Sequence, residues 1–148
     1  QVKDRTTPED VRAMIQYAIA KLRVDTTRIY VTGLSLGGGA TWNFAAKYGE
    51  NVAAIVPICG SSTATSKNTK EITTKKIAVW AFHNEDDPTV SVQKTKDFIS
   101  MINSYNPTPK ARITLWPTGG HDAWTKATDP SYRENKMNMY EWMLQYHK

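Results

Sequence analysis

Gly33-Leu34-Ser35-Leu36-Gly37 places a serine midway between two glycines. On a very tight strand-to-helix turn such a serine projects its hydroxyl out of the sheet, and the flanking glycines remove side chains that would clash. At ordinary glycine and serine usage the pattern arises by chance in about one chain in twenty, so its neighbourhood must carry the argument. Upstream, Arg28–Thr32 (RIYVT) is a β-branched and aromatic run that reads as a strand. Downstream, Gly37-Gly38-Gly39-Ala40 followed by Trp42, Phe44, Ala45 and Tyr48 reads as a helix packed closely at its start. Strand, turn and helix in that order point to serine-based acyl chemistry; the plainer reading is a glycine-rich turn with a surface serine.

A serine hydroxyl is a poor nucleophile at neutral pH and needs a base within hydrogen-bond reach, itself oriented by an anion. Three histidines are available. His147 is next to last and expected to fray, and His83 ends an apolar run and reads as a polar support for the adjoining loop. His121 follows Pro117-Thr118-Gly119-Gly120, beyond the strand-like run Arg112–Trp116. A loop past a strand end is where a base belongs, which makes His121 the candidate. The acid should lie between serine and base in chain order. The apolar run Ile77–Phe82 empties into His83-Asn84-Glu85-Asp86-Asp87-Pro88-Thr89-Val90, where Glu85, Asp86 and Asp87 compete, with Asp122 beside the histidine as a fourth candidate.

These motifs resemble the α/β-hydrolase superfamily, in particular small carboxylesterases of the polyhydroxybutyrate depolymerase, feruloyl esterase and prolyl-oligopeptidase-like groups. Their acid loops run His-Gly-x-x-Asp-x-x-Val, which the resemblance lays onto His83 to Val90 with Asp87 as the acid; Asn84 stands where glycine is usual. Their histidine loops read Gly-His-Asp-x-Trp, matched by Gly120-His121-Asp122-Ala123-Trp124. The order Ser35, Asp87, His121 is that of the superfamily and excludes the chymotrypsin arrangement.

Around these motifs the chain alternates helices and strands, which implies an α/β fold with a mostly parallel sheet of about four strands flanked by helices. Thr7-Pro8-Glu9-Asp10 starts a helix whose stripe Val11, Met14, Ile15, Ala18, Ile19 and Leu22 is expected to lie on a sheet. Val52–Cys59 is an unbroken apolar run, as in a strand covered on both faces. Ser61–Lys76 is polar and reads as a long loop or lid-like insertion. A helix is expected from Val90 to Ser104, and Ser131-Tyr132-Arg133-Glu134 reads as the capping box of a last helix running to about Tyr146.

The resemblance covers nearly all of these residues but only the C-terminal portion of the superfamily fold. The strand before Ser35 would then sit at a sheet edge. The oxyanion hole would take one N–H from Leu36, while its second donor comes from an upstream loop. Residues 1–148 are therefore expected to be the C-terminal portion of a single α/β-hydrolase domain. An N-terminal segment of the same hydrolase would complete it, either as a separate chain or as residues preceding Gln1, which enters with no initiator methionine.

The 148 residues are 40% hydrophobic with five tryptophans, enough for one core. No run of eighteen apolar residues offers a membrane span. The net charge of +5 includes Lys67, Lys70, Lys75 and Lys76 in one polar stretch without aromatic interleaving, a solvated surface rather than a nucleic-acid site. The single Cys59, at a strand end, reads as a buried structural thiol, and no His, Cys and carboxylate run has metal-ligand spacing. No metal or cofactor is implied. The resemblance leans towards a secreted or extracytoplasmic location.

Hydrolysis of a small-molecule carboxylic ester through Ser35, His121 and Asp87 is the leading expectation. A prolyl-oligopeptidase-type peptidase, a non-catalytic hydrolase-like module and transfer to an alcohol acceptor are the alternatives. Trp124 and the polar stretch Ser61–Lys76 are the candidate walls of the substrate pocket.

Overall fold

The computed structural model describes residues 6–148; Gln1 to Arg5, and the junction with any preceding segment, lie outside the described residues. The elements run α1 (Pro8–Lys21), β1 (Ile29–Leu34), α2 (Leu36–Tyr48), β2 (Val52–Ile58), α3 (Ser66–Thr74), β3 (Ala78–Asn84), α4 (Val92–Ser104), β4 (Arg112–Trp116), α5 (Trp124–Ala127) and α6 (Met139–Met143). The four strands pair in parallel in the order β1-β2-β3-β4, each beside its neighbour in the chain. Parallel neighbours require a crossover, and α2, α3 and α4 supply one for each step.

β2 and β3 are buried along their whole length, as expected of strands covered on both faces. Their side chains alternate between two cores. Ile55, Val79 and Ala81 pack with Trp42, Phe44, Phe98, Ile99 and Ile102 from the helices on one side. Ala54, Val56, Ile58, Trp80 and Phe82 pack with Trp116, Met139, Trp142 and Met143 on the other. Trp42 and Phe98 stack at 4.1 Å between ring centroids, joining α2 to α4 under the sheet. No helix among the described residues is long and apolar enough to cross a membrane.

Three expectations are corrected. Ser61–Lys76 is not a loop: α3 occupies its middle, opened by a reciprocal capping box between Thr65 and Asn68. Thr69 and Ile72 are buried there, and Thr69 satisfies its hydroxyl on Thr65 C=O, so a polar sequence forms a packed helix. The long final helix is also absent. Glu134 is taken instead by Arg112 and Thr114 at 2.7 Å each, Asn135 and Lys136 adopt positive φ, and the working capping box is Asn138 with Glu141, opening the five-residue α6. Finally, α1 forms with its Thr7 cap but buries no residue. Val11 and Ile15 pack on the core, while Met14 (60%), Leu22 (65%) and Ile19 stay exposed, so only part of the stripe is covered among the described residues.

Candidate active site

Ser35, Asp87 and His121, the residues expected to react, gather at one end of the sheet, on the turns and loops after the strands. Ser35 follows β1, and its backbone is held at φ 52° and ψ −115°, a conformation that costs a non-glycine residue of order 1–3 kcal/mol. Three backbone hydrogen bonds enforce it: Ser35 N–H donates to Ile58 C=O, and Ser35 C=O accepts from Gly39 and Ser61 N–H. Gly33 is needed because a Cβ there would lie 2.5 Å from the Gly37 carbonyl oxygen. The expected steric role of Gly37 itself is corrected, since a Cβ there meets nothing within 4 Å. Gly38 is the tight position, where a Cβ would lie 2.5 Å from Ile58 O.

His121 lies between serine and acid. Its Nε2 is 2.8 Å from Ser35 Oγ and its Nδ1 is 2.8 Å from Asp87 Oδ2. A carboxylate can only accept, so Nδ1 carries the proton and Nε2 is left to accept from the serine hydroxyl. Asp87 is fully engaged: Oδ1 accepts from Thr89 and Val90 N–H at 2.8 and 2.9 Å, and its side chain is buried. Burial pushes its carboxyl up, but the bonds from His121, Val90 and Thr89 outweigh that and hold it below the ordinary carboxylate value.

The competing carboxylates point elsewhere. Asp86 accepts from the N–H groups of Gly119 and Gly120, Glu85 pairs with Lys96 at 3.3 Å, and Asp122 accepts from the N–H and hydroxyl of Thr125. His83 is buried behind the acid. Its Nε2–H donates to Val90 C=O at 2.9 Å and lies 3.2 Å from Asp87 Oδ2, while Nδ1 accepts from Thr95 Oγ1 at 2.8 Å. Burial holds its pKa below the ordinary histidine value, so the ring is neutral.

Leu36 opens α2, so its N–H has no intrahelical acceptor. A cavity of about 250 Å³ opens along the start of α2, lined by Leu36, Gly37, Asn43, Ser61 and Ser62 among others but not by Ser35, Asp87 or His121. Trp124 does not line it; its ring stands edge-on to His121, 5.3 Å between centroids. Cys59 is buried after β2, and burial pushes its thiol up to about 11. Although residues 59, 87 and 121 show no metal-ligand spacing in sequence, folding brings a ligating atom of each within 4.8 Å of the others. The His121 to Asp87 hydrogen bond occupies that space.

The sequence profile of the dienelactone hydrolase family matches residues 1–147. The chain belongs to the dienelactone hydrolase family. That places it in the α/β-hydrolase superfamily, as the motifs imply. No curated protein sequence matches it significantly. Among solved structures, a thermostable esterase is 28% identical to this dienelactone hydrolase family member, with a TM-score of 0.76 over 93% of this chain and 36% of its own. SOBER1 of Arabidopsis thaliana is 19% identical, with a TM-score of 0.63 over 78% of this chain and 54% of its own. The esterase domain of a Rhodothermus marinus protein is 14% identical, with a TM-score of 0.61 over 80% and 60%. The last two speak to fold alone. The chain spans between about a third and three-fifths of the length of these relatives.

Proposed function

We propose that this chain carries the reacting groups of a serine carboxylesterase. The observation that supports the reading is the continuous run of two 2.8 Å hydrogen bonds from Ser35 Oγ through the His121 ring to Asp87. Ser35 Oγ attacks the ester carbonyl carbon while His121 Nε2 takes its proton, and the carbonyl oxygen becomes an oxyanion facing Leu36 N–H. His121 returns the proton to the departing alcohol, leaving an acyl-serine. Water, deprotonated by the same Nε2, then attacks that acyl carbon and releases the acid and Ser35. Asp87 keeps the proton on Nδ1 and stabilises the imidazolium formed in each half.

The cavity beside Leu36 suits one side of a small ester, and Trp124 suits a wall on the His121 side. One N–H is half of an ordinary oxyanion hole, and losing a donor costs about 10²–10³ in turnover. The second donor, in this reading, comes from an N-terminal segment of the same hydrolase that also covers the β1 edge and the outer face of α1.

A fluorophosphonate probe tests the nucleophile in the full-length protein: Ser35 is expected to label, and Ser35→Ala to lose the label. The same protein should hydrolyse p-nitrophenyl esters of short acids and leave aminoacyl anilides intact. Anilide cleavage without ester cleavage would move the reading to a peptidase, and inertness to probe and esters alike would move it to a non-catalytic module.

A further inference from the structure

Two residues just before Asp87, Asn84 at the end of β3 and Asp86 on the loop, grip the backbone that carries the imidazole. Asp86 Oδ1 accepts from Gly120 N–H at 2.8 Å, and Oδ2 accepts from Gly119 N–H at 3.2 Å. Asn84, the last residue of β3 and 2% exposed, donates its Nδ2–H to Gly120 C=O at 3.0 Å. The residue immediately before His121 is therefore held at its donor by one side chain and at its acceptor by another.

The glycines make this grip possible. Gly119 at φ 142° and Gly120 at φ 59° adopt backbone conformations that side-chain-bearing residues avoid, and they turn two successive N–H groups towards one carboxylate. A Cβ on Gly119 would lie 2.5 Å from Asn84 Nδ2, so the asparagine side chain fills the place where a larger residue would project. Asp86 is exposed, so its charge carries no burial cost while it makes these two bonds. Left to itself, a Gly-Gly hinge beside the base is among the loosest stretches a chain can have.

We propose that Asp86, with Asn84, is the positioning element for His121: the two side chains fix the imidazole through its own backbone, independently of the Asp87 bond. The proposal rests on the esterase reading. It follows that the loop carrying the acid delivers two separate restraints on the base, one to the ring from Asp87 and one to the preceding glycines from residues 84 and 86. Loss of the second leaves the ring hydrogen-bonded to Asp87 but free to pivot about it, which moves Nε2 relative to Ser35 Oγ. A misplacement of about 1 Å at a reacting group costs roughly 10²-fold in rate.

The test compares Asp86→Ala, Asp86→Asn and Asn84→Asp in the full-length protein, with Ser35→Ala as control, using the rate of fluorophosphonate labelling and the kcat and KM for p-nitrophenyl acetate. Asp86→Ala should lower both kcat and labelling rate by at least about tenfold and towards roughly 10²-fold, with KM within about threefold, because substrate contacts are untouched. Asp86→Asn keeps one acceptor oxygen and should fall between wild type and alanine. Asn84→Asp replaces the donor to Gly120 C=O with an acceptor and should lower kcat likewise. Asp86→Ala or, if that variant does not fold, Asp86→Asn turning over and labelling at the wild-type rate overturns the clamp while a silent Ser35→Ala leaves the esterase reading standing. Labelling that survives Ser35→Ala overturns the esterase reading and this proposal with it.

Discussion

The two edge strands of the sheet are treated very differently. β4 is wrapped by the C-terminal stretch of the chain: Glu134 takes Arg112 and Thr114, Lys126 lies over the Trp116 ring at 4.7 Å, and Tyr132 meets Trp116 edge-on. β1 buries only Ile29 fully; its last residue, Leu34, is 41% exposed and Leu36 just beyond it 54%. The flanking helices repeat the contrast, since α4 buries Thr95, Phe98, Ile99 and Ile102 whereas α1 buries nothing. Asp87 and His121 thus sit towards the finished side, and Ser35 sits on a side whose apolar surface is exposed among the described residues. A parallel edge that is unpaired among the described residues and has apolar flanks is the kind a further strand covers.

The largest expected effects break or sharpen the comparison through chemistry. Ser35→Ala should lower ester turnover of the full-length protein by on the order of 10⁶, and Asp87→Asn by on the order of 10⁴. Turnover within about tenfold of wild type for either would show that the reacting groups lie elsewhere. Next is stability on the finished side. Phe98→Ala removes the ring stacked on Trp42 and should cost about 3–5 kcal/mol in urea unfolding. A loss under about 1 kcal/mol would mean that this core is no better packed than the β1 side.

On the β1 side, Met14→Ser changes a residue that is 60% exposed among the described residues. If a preceding segment covers α1 in the full-length protein, the substitution should cost about 1–3 kcal/mol. A change within about 0.5 kcal/mol would mean that the face is open to water and the two sides differ by design.

The smallest effect is a slope. His83 has a folded pKa below its ordinary value of about 6.5, because burial outweighs the help of Val90 C=O and Asp87. The unfolded chain binds its proton first as pH falls. Stability from this group is therefore full above about pH 6.5 and declines as pH drops from there towards the folded value. His83→Gln should flatten that decline between about pH 7 and 5 in denaturation series, and an unchanged slope would assign it to another group. Asp87, with its pKa held down, acts with the same sign at lower pH: its contribution is present above about 3.9 and is lost as pH falls through the folded value.

Much of the fold is legible in the chain because its signals are local. Val52–Cys59 and Ile77–Phe82 are too apolar to be anything but covered strands, and a serine between glycines after RIYVT announces its own turn. α3 is not legible because Thr and Lys dominate it and its capping box closes with Asn68 where a glutamate is the usual signal. Ser131 to Glu134 misleads for the opposite reason: the pattern is present, but Glu134 binds Arg112 and Thr114, about twenty residues earlier. The site divides along the same line. A loop after a strand marks Asp87 and His121 as candidates, whereas Asp86 has its partners on the backbone N–H groups of Gly119 and Gly120, far along the chain, and no side-chain pattern encodes those.

Because each of the four described strands pairs with its neighbour in the chain, they can assemble in the order of synthesis, one βα unit upon the last. The two atoms that would react together are placed at opposite ends of that order, Ser35 at the first strand and His121 86 residues later, past the fourth. A nascent chain therefore carries Ser35 out of the ribosome before its partner exists, and in the esterase reading the hydroxyl meets its base only after β4 has been laid down.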